Sequence, residues 1–91
     1  MKLIKKIKVN NPLGLHIRPA ATIVKLLQNT KSKVFFTYKK QTINAKSIMS
    51  ILILAAKKNA KITITIEGSD ANAVMTTLTN NFENGFGEKE C

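Results

Sequence analysis

The chain has 91 residues, 44% of them hydrophobic, and a net charge of +10, which allows one domain with a single core. Its one cysteine, Cys91, is the last residue and has no internal partner, so a disulfide framework is excluded and a reducing compartment is favoured. The opening MKLIKKIKVNN interrupts its apolar residues with lysines, unlike a secretory leader, and the longest apolar run (48–56, IMSILILAA) is under half the roughly 20 residues of a spanning helix. A soluble, cytoplasmic protein is expected.

The charge is unevenly placed. All five acidic residues lie at Glu67 or beyond, while the first 66 residues carry thirteen lysines and Arg18. A field of one sign implies an anionic partner: nucleic acid, an anionic membrane or an acidic protein surface. A solubilising lysine coat has the same composition.

Residues 3–9, LIKKIKV, read as a strand that ends at the turn-forming NNPLG. From Pro19 the period changes. Ala20, Ile23, Val24 and Leu27 are spaced i, i+3, i+4, i+7, which predicts a helix running to about Asn29. Residues 33–44, KVFFTYKKQTIN, read as two short strands around Lys39-Lys40, a turn without the tolerance for positive φ that Asn-Gly would supply. A short helix is expected within 45–59, with Ser47 as its N-cap. The strict alternation of Ile62, Ile64 and Ile66 predicts a strand over 61–67. Ser69 or Asp70 should then cap a helix with the stripe Ala71, Val74, Met75, Leu78 and Phe82, closed by Gly85. The order is βαββαβα. An α+β open-faced sandwich, with three helices on one face of a four-stranded antiparallel sheet, would bury all three stripes.

His16 is the only histidine. If the first helix starts at Ile17, His16 is its N-cap, and Pro19 falls in the first turn, where its missing N–H costs little. The imidazole then sits over the unbonded N–H groups of Ile17 and Arg18, at the positive end of the helix, which is a ready anion site. Arg18 can add a charge-assisted contact to phosphate oxygens. A neutral imidazole near pH 7 is a nucleophile, and a phosphate-binding shell around it suggests a transient phosphohistidine. The plainer alternative is a histidine that merely caps a helix. No serine, cysteine or acid stands near it in sequence for a triad, and no second histidine for a metal site. Acting alone, His16 would carry a group rather than turn over a substrate, so the chain is read as no enzyme and as needing no cofactor or metal.

The segments GLHIRPAA (14–21) and NAKSIMSILILAAKKNAKITITIEGSDANA (44–73) resemble the histidine-containing phosphocarrier (HPr) family of the bacterial phosphoenolpyruvate-dependent sugar phosphotransferase system. The resemblance runs through essentially the whole chain in matching order and implies the same βαββαβα sandwich. It implies that His16 is phosphorylated on its δ nitrogen beside Arg18. The group would come from phosphoenolpyruvate through enzyme I and pass to IIA domains of sugar permeases. Ser47 matches a regulatory serine modified in some bacteria by an ATP-dependent kinase, the HPr kinase/phosphorylase. Where relatives commonly carry glycine, this chain has Ala55 and Asn59, and in some branches Ser50 also replaces glycine.

The second helix has too many apolar residues for one face. At 100° per residue, Ile51, Leu54 and Ala55 make a core stripe, and Ile48, Met49, Leu52 and Ile53 make a second one on the other side of the wheel. That second stripe, with Ala21 of the first helix and with Arg18, Lys25 and Lys46 around it, reads as a docking surface for acidic partner proteins on a monomeric carrier. Two other readings stand beside this one: a paralogous carrier in a regulatory, non-sugar chain, and a small nucleic-acid-binding module. Against the latter, the chain has five aromatic residues, and Phe36 and Tyr38 share a strand face expected in the core.

Overall fold

The structure, a computed structural model, describes residues 1–87; Cys91, expected to be unpaired, lies outside the described residues. Strands β1 (Lys2–Lys8), β2 (Lys33–Tyr38), β3 (Gln41–Asn44) and β4 (Lys61–Glu67) form one antiparallel sheet in the order β1-β4-β2-β3. Helices α1 (Ile17–Leu27), α2 (Ile48–Leu54) and α3 (Ala71–Glu83) complete the βαββαβα order, and a 3-10 turn follows at Gly85–Gly87. The period-2 pattern of β4 sets the layers. Ile62, Ile64 and Ile66 are buried on one face with Val34 and Phe36 of β2, while the alternate residues lie on the opposite face. The helices cover the buried face with Ala20, Ile23 and Leu27 from α1, Ile51 and Leu54 from α2, and Val74, Leu78 and Phe82 from α3. Phe82 meets Phe36 edge-on at 5.8 Å between centroids and Phe86 at 4.8 Å, tying the chain's end to the core.

Several boundaries differ from the sequence reading. Helix α1 stops at Leu27 rather than Asn29, because Thr30 closes it, its hydroxyl and its N–H both donating to the Leu27 carbonyl at 2.8 and 3.2 Å. Helix α2 is shorter than 45–59. Ala55 is its left-handed C-cap (φ 54°) and is exposed, so the core position assigned to Ala55 passes to buried Ala56. Asn59 is left-handed too (φ 72°), so both positions where the family resemblance implies glycine hold the conformation glycine tolerates best. For α3, Asp70 occupies the N-cap but makes no capping bond. Its carboxylate instead accepts from the Lys31 N–H at 2.8 Å and from the Ser32 hydroxyl, so it fastens the α1–β2 loop to the start of α3. Ser69, the other expected cap, is exposed.

Lys39 and Lys40 form the two-residue turn between Tyr38 and Gln41 with φ of 49° and 65°, a type I′ hairpin made from residues that prefer negative φ. Lys39 recovers part of the cost by placing its Nζ 5.3 Å from the centroid of the Tyr38 ring. Lys40 makes no such contact that compensates it. Replacing Lys40 with Gly should therefore raise stability by about 0.5–1 kcal/mol, with a smaller gain for Lys39→Asn, measured by urea unfolding.

The bonds from the Lys31 backbone N–H and then the Ser32 hydroxyl hold the Asp70 carboxyl below the usual carboxylate range. A folded pKa below the unfolded one contributes stability above pH about 4, lost as pH falls through the folded value. Acid titration of unfolding should thus show a steeper loss below pH about 4 for the wild type than for Asp70→Asn. Parallel curves would mean that the Asp70 bonds add nothing.

Candidate functional site

The site begins with a glycine. Gly14 has φ 70°, and a Cβ built on it would overlap the Ala56 carbonyl oxygen and stand 2.8 Å from the Lys57 Cα. The loop before α1 therefore lies directly on the backbone that leaves α2. The Leu15 N–H donates to the Ala56 carbonyl at 2.9 Å, and the Gly14 N–H closes a turn onto the Asn11 carbonyl at 3.0 Å. Asn11 is fully buried and donates from Nδ2 to the Gly85 carbonyl at 2.8 Å, which adds the C-terminal turn as a third support. Together these contacts fix the residue that follows, His16.

His16 is the N-cap of α1, half-buried, with extended backbone (φ −81°, ψ −170°). Its imidazole makes no capping bond to the helix. The first N–H bonded within the helix is that of Ala20, which donates to the His16 carbonyl at 3.1 Å. Ile17 and Arg18 precede it, and Pro19, buried, has no N–H to leave unsatisfied. With no acidic residue in its first turn, α1 itself supplies no counter-charge to the positive helix end where the imidazole stands. Arg18 is exposed beside it. An imidazole nucleophile, two helix-start N–H groups and a guanidinium form an arrangement suited to a phosphoryl group.

Helices α1 and α2 run antiparallel: the start of α1 bonds at Ala56, past the end of α2, while the Lys46 ammonium, before the start of α2, donates to the Thr30 carbonyl past the end of α1 at 3.2 Å. This puts Ser47 at the far end of α2 from His16, the seven-residue helix itself being about 10 Å long. The Ser47 Oγ accepts the Ser50 N–H at 3.3 Å, so its N-cap role is real, though the bond is long. Lys46 is half-buried and tied to Thr30 rather than standing free at a rim.

The second apolar stripe of α2 divides. Met49 and Ile53 are 68% and 62% exposed, whereas Ile48 and Leu52 are half-buried and pack against the core. A charge at Leu52 would therefore disturb packing, whereas Met49 and Ile53 could be changed without touching the core. Ala21 and Lys25 are exposed on α1. The sequence reading missed two apolar members. Leu13 and Ile17, 76% and 65% exposed, flank His16 on either side. Ile17 lies seven residues before Val24 on the same side of α1, and only its place at the first helical position leaves it uncovered. Among the described residues no group of His, Cys, Asp and Glu is large enough to hold a metal ion, and no helix is long and apolar enough to cross a membrane.

Gly14→Ala should cost about 2–4 kcal/mol, combining the left-handed backbone with overlap onto Ala56. Hydrogen exchange read by NMR locates the damage: the Leu15 amide should lose protection first in the variant. Unchanged Leu15 protection would show that the loop is not held through this contact.

The family model described as "PTS HPr component phosphorylation site" matches residues 3–84. A phosphocarrier protein HPr of Chlamydia muridarum is 49% identical over 80 residues, covering 88% of this chain and 77% of that protein. A crystal structure of HPr from Thermoanaerobacter tengcongensis superposes with a TM-score of 0.92 at 31% identity, covering 97% of this chain and 99% of that one. An HPr dimer from the same organism superposes at 0.76 with 33% identity, covering 90% and 94%. The sandwich, the motif around His16 and these likenesses agree: the chain belongs to the HPr family of phosphotransferase-system phosphocarriers.

Proposed function

We propose that His16 accepts a phosphoryl group on Nδ1 from phosphorylated enzyme I and passes it to IIA domains of sugar permeases, one group per chain and cycle. The observation that carries this reading is an imidazole at the start of α1 that leaves the Ile17 and Arg18 N–H groups uncapped by its own side chain. In the transfer, the Nδ1 lone pair forms the bond to phosphorus. The donor's bond to phosphorus breaks and its electron pair leaves with the donor, while Nε2 keeps its proton. Charge spreads over the three equatorial oxygens in the transition state, where helix-start N–H groups and the Arg18 guanidinium stabilise it. Partners would dock on Met49, Ile53, Ile17 and Leu13, with contributions from Ile48, Leu52 and Ala21, steered by Arg18 and Lys25 toward acidic surfaces. The working unit proposed is a monomer.

Incubation with phosphoenolpyruvate and enzyme I should add one acid-labile phosphate, and none to His16→Ala. Label persisting in that variant would refute the assignment. Arg18→Ala should accept the group but exchange it more slowly, by about ten-fold or more, since a charge-assisted contact is worth roughly 1.5–3 kcal/mol.

Ser47 is proposed as a regulatory phosphorylation site for an ATP-dependent kinase. A phosphoserine brings roughly −1.5 to −2 charges to the start of α2, where the helix dipole tolerates it. It lies at the opposite end of α2 from the loop that holds His16, so its effect falls on docking of an acidic donor rather than on the imidazole. Ser47→Asp should raise the KM for enzyme I at low salt with kcat nearly unchanged, and salt should shrink the difference. Ser47→Ala should cost about 0.5–2 kcal/mol of stability and little else. Equal KM values would leave Ser47 as a helix cap.

A further inference from the structure

The docking side of the molecule accounts for only part of the charge. On the face of the sheet turned away from the helices, the register places Lys2, Ile4, Lys6 and Lys8 of β1 beside Glu67, Thr65, Thr63 and Lys61 of β4, with Lys33, Phe35 and Thr37 of β2 next to Glu67, Thr65 and Thr63. Five lysines thus share this face with one carboxylate, which sits between Lys2 and Lys33 at one end. Among the described residues the register gives the other end no acidic neighbour. Lys8 stands directly opposite Lys61, with Lys6 two residues along on the same face, and all three are exposed. Like charges directly opposite in a ladder destabilise it, so this corner is one that a bound anion would relieve.

The middle of the face carries two apolar side chains among threonines. Ile4 is 65% exposed, half-buried Phe35 lies across Thr65 from it, and Thr63, Thr37 and Thr42 continue the surface. We propose that this open face is a peripheral docking surface for an anionic phospholipid bilayer. Lysines around the rim meet the headgroups, with their stems along the surface, and Ile4 and Phe35 reach the headgroup boundary. A cleft of about 130 Å³ among Leu26, Leu27, Thr30, Val74 and Thr77 lies on the helix side. A nucleic acid strand would find a single half-buried aromatic ring to stack on, too little for a stacking platform. A second copy of the chain would bring lysines against lysines. The face opposite the helices can rest on lipid while His16 and α2 stay open to protein partners.

The test is sedimentation of the full chain with vesicles of equimolar phosphatidylcholine and phosphatidylglycerol, against vesicles of phosphatidylcholine alone. Binding to the anionic vesicles only, reversed in 1 M salt where the screening length falls to about 3 Å, is expected. A lysine at an anionic surface is worth about five-fold in partitioning. The triple variant Lys6→Glu, Lys8→Glu, Lys61→Glu should therefore bind at least about a hundred-fold more weakly. Lys6→Gln, Lys8→Gln, Lys61→Gln should also bind less, and it provides the reading should the first variant fail to fold. Lys31→Glu, Lys39→Glu, Lys40→Glu changes net charge equally off this face and should keep most of the binding. Equal loss in both charge-reversal variants would overturn the proposal in favour of a diffuse charge effect, as would equal binding to neutral vesicles. Tighter binding to a single-stranded oligonucleotide than to the anionic vesicles would reassign the face to nucleic acid.

Discussion

A backbone-to-backbone contact positions everything else at the site: Gly14 lies against Ala56 and Lys57, and the Leu15 N–H bonds to the Ala56 carbonyl. Only a residue without a Cβ can approach so closely, and only one at ease with φ 70° can then turn the chain into α1. The contact joins the start of one helix to the end of another. It sets the place of the imidazole relative to the apolar surface of α2, two features that lie more than thirty residues apart in the chain. Under the proposed function this arrangement is an advantage, because one docking surface would present the same atom to each partner.

The exit from α2 carries related strain. Ala55 and Asn59 both hold left-handed backbone on either side of the segment that receives Gly14. Asn tolerates that conformation and Ala does so at some cost, which makes this stretch a place where local preference yields to tertiary position. The same conflict appears at Lys39-Lys40, but there it serves only a surface turn. Strain near the site is held by many contacts, and strain in the hairpin by few.

Charge in this molecule divides between two sides. Arg18 and Lys25 lie with His16 and the exposed Met49 and Ile53. Lys6, Lys8 and Lys61 lie on the open face of the sheet, where Lys8 and Lys61 oppose each other across the ladder. Asp70, one of the few carboxylates, is spent on neither side. It fastens the α1–β2 loop through Lys31 and Ser32.

Elements whose side chains follow a period were legible in the residues alone. Ile62, Ile64 and Ile66 announced β4, and Ala20, Ile23 and Leu27 announced α1, because a buried face imposes its repeat on the local sequence. The candidate site was legible for a similar reason: a helix start needs its own residues, and His16, Arg18 and Pro19 are neighbours in the chain. The place where α2 stops, the division of its second stripe, and the turning of Asp70 from its helix toward Ser32 were not. Each depends on a partner distant in sequence: Gly14 for Ala56, the core for Ile48 and Leu52, the α1–β2 loop for Asp70. Local pattern thus determined the strands, the helices and the position of the proposed phosphoryl-accepting imidazole. The fold alone decided which apolar residues remain exposed around it, because exposure depends on what the rest of the chain leaves uncovered.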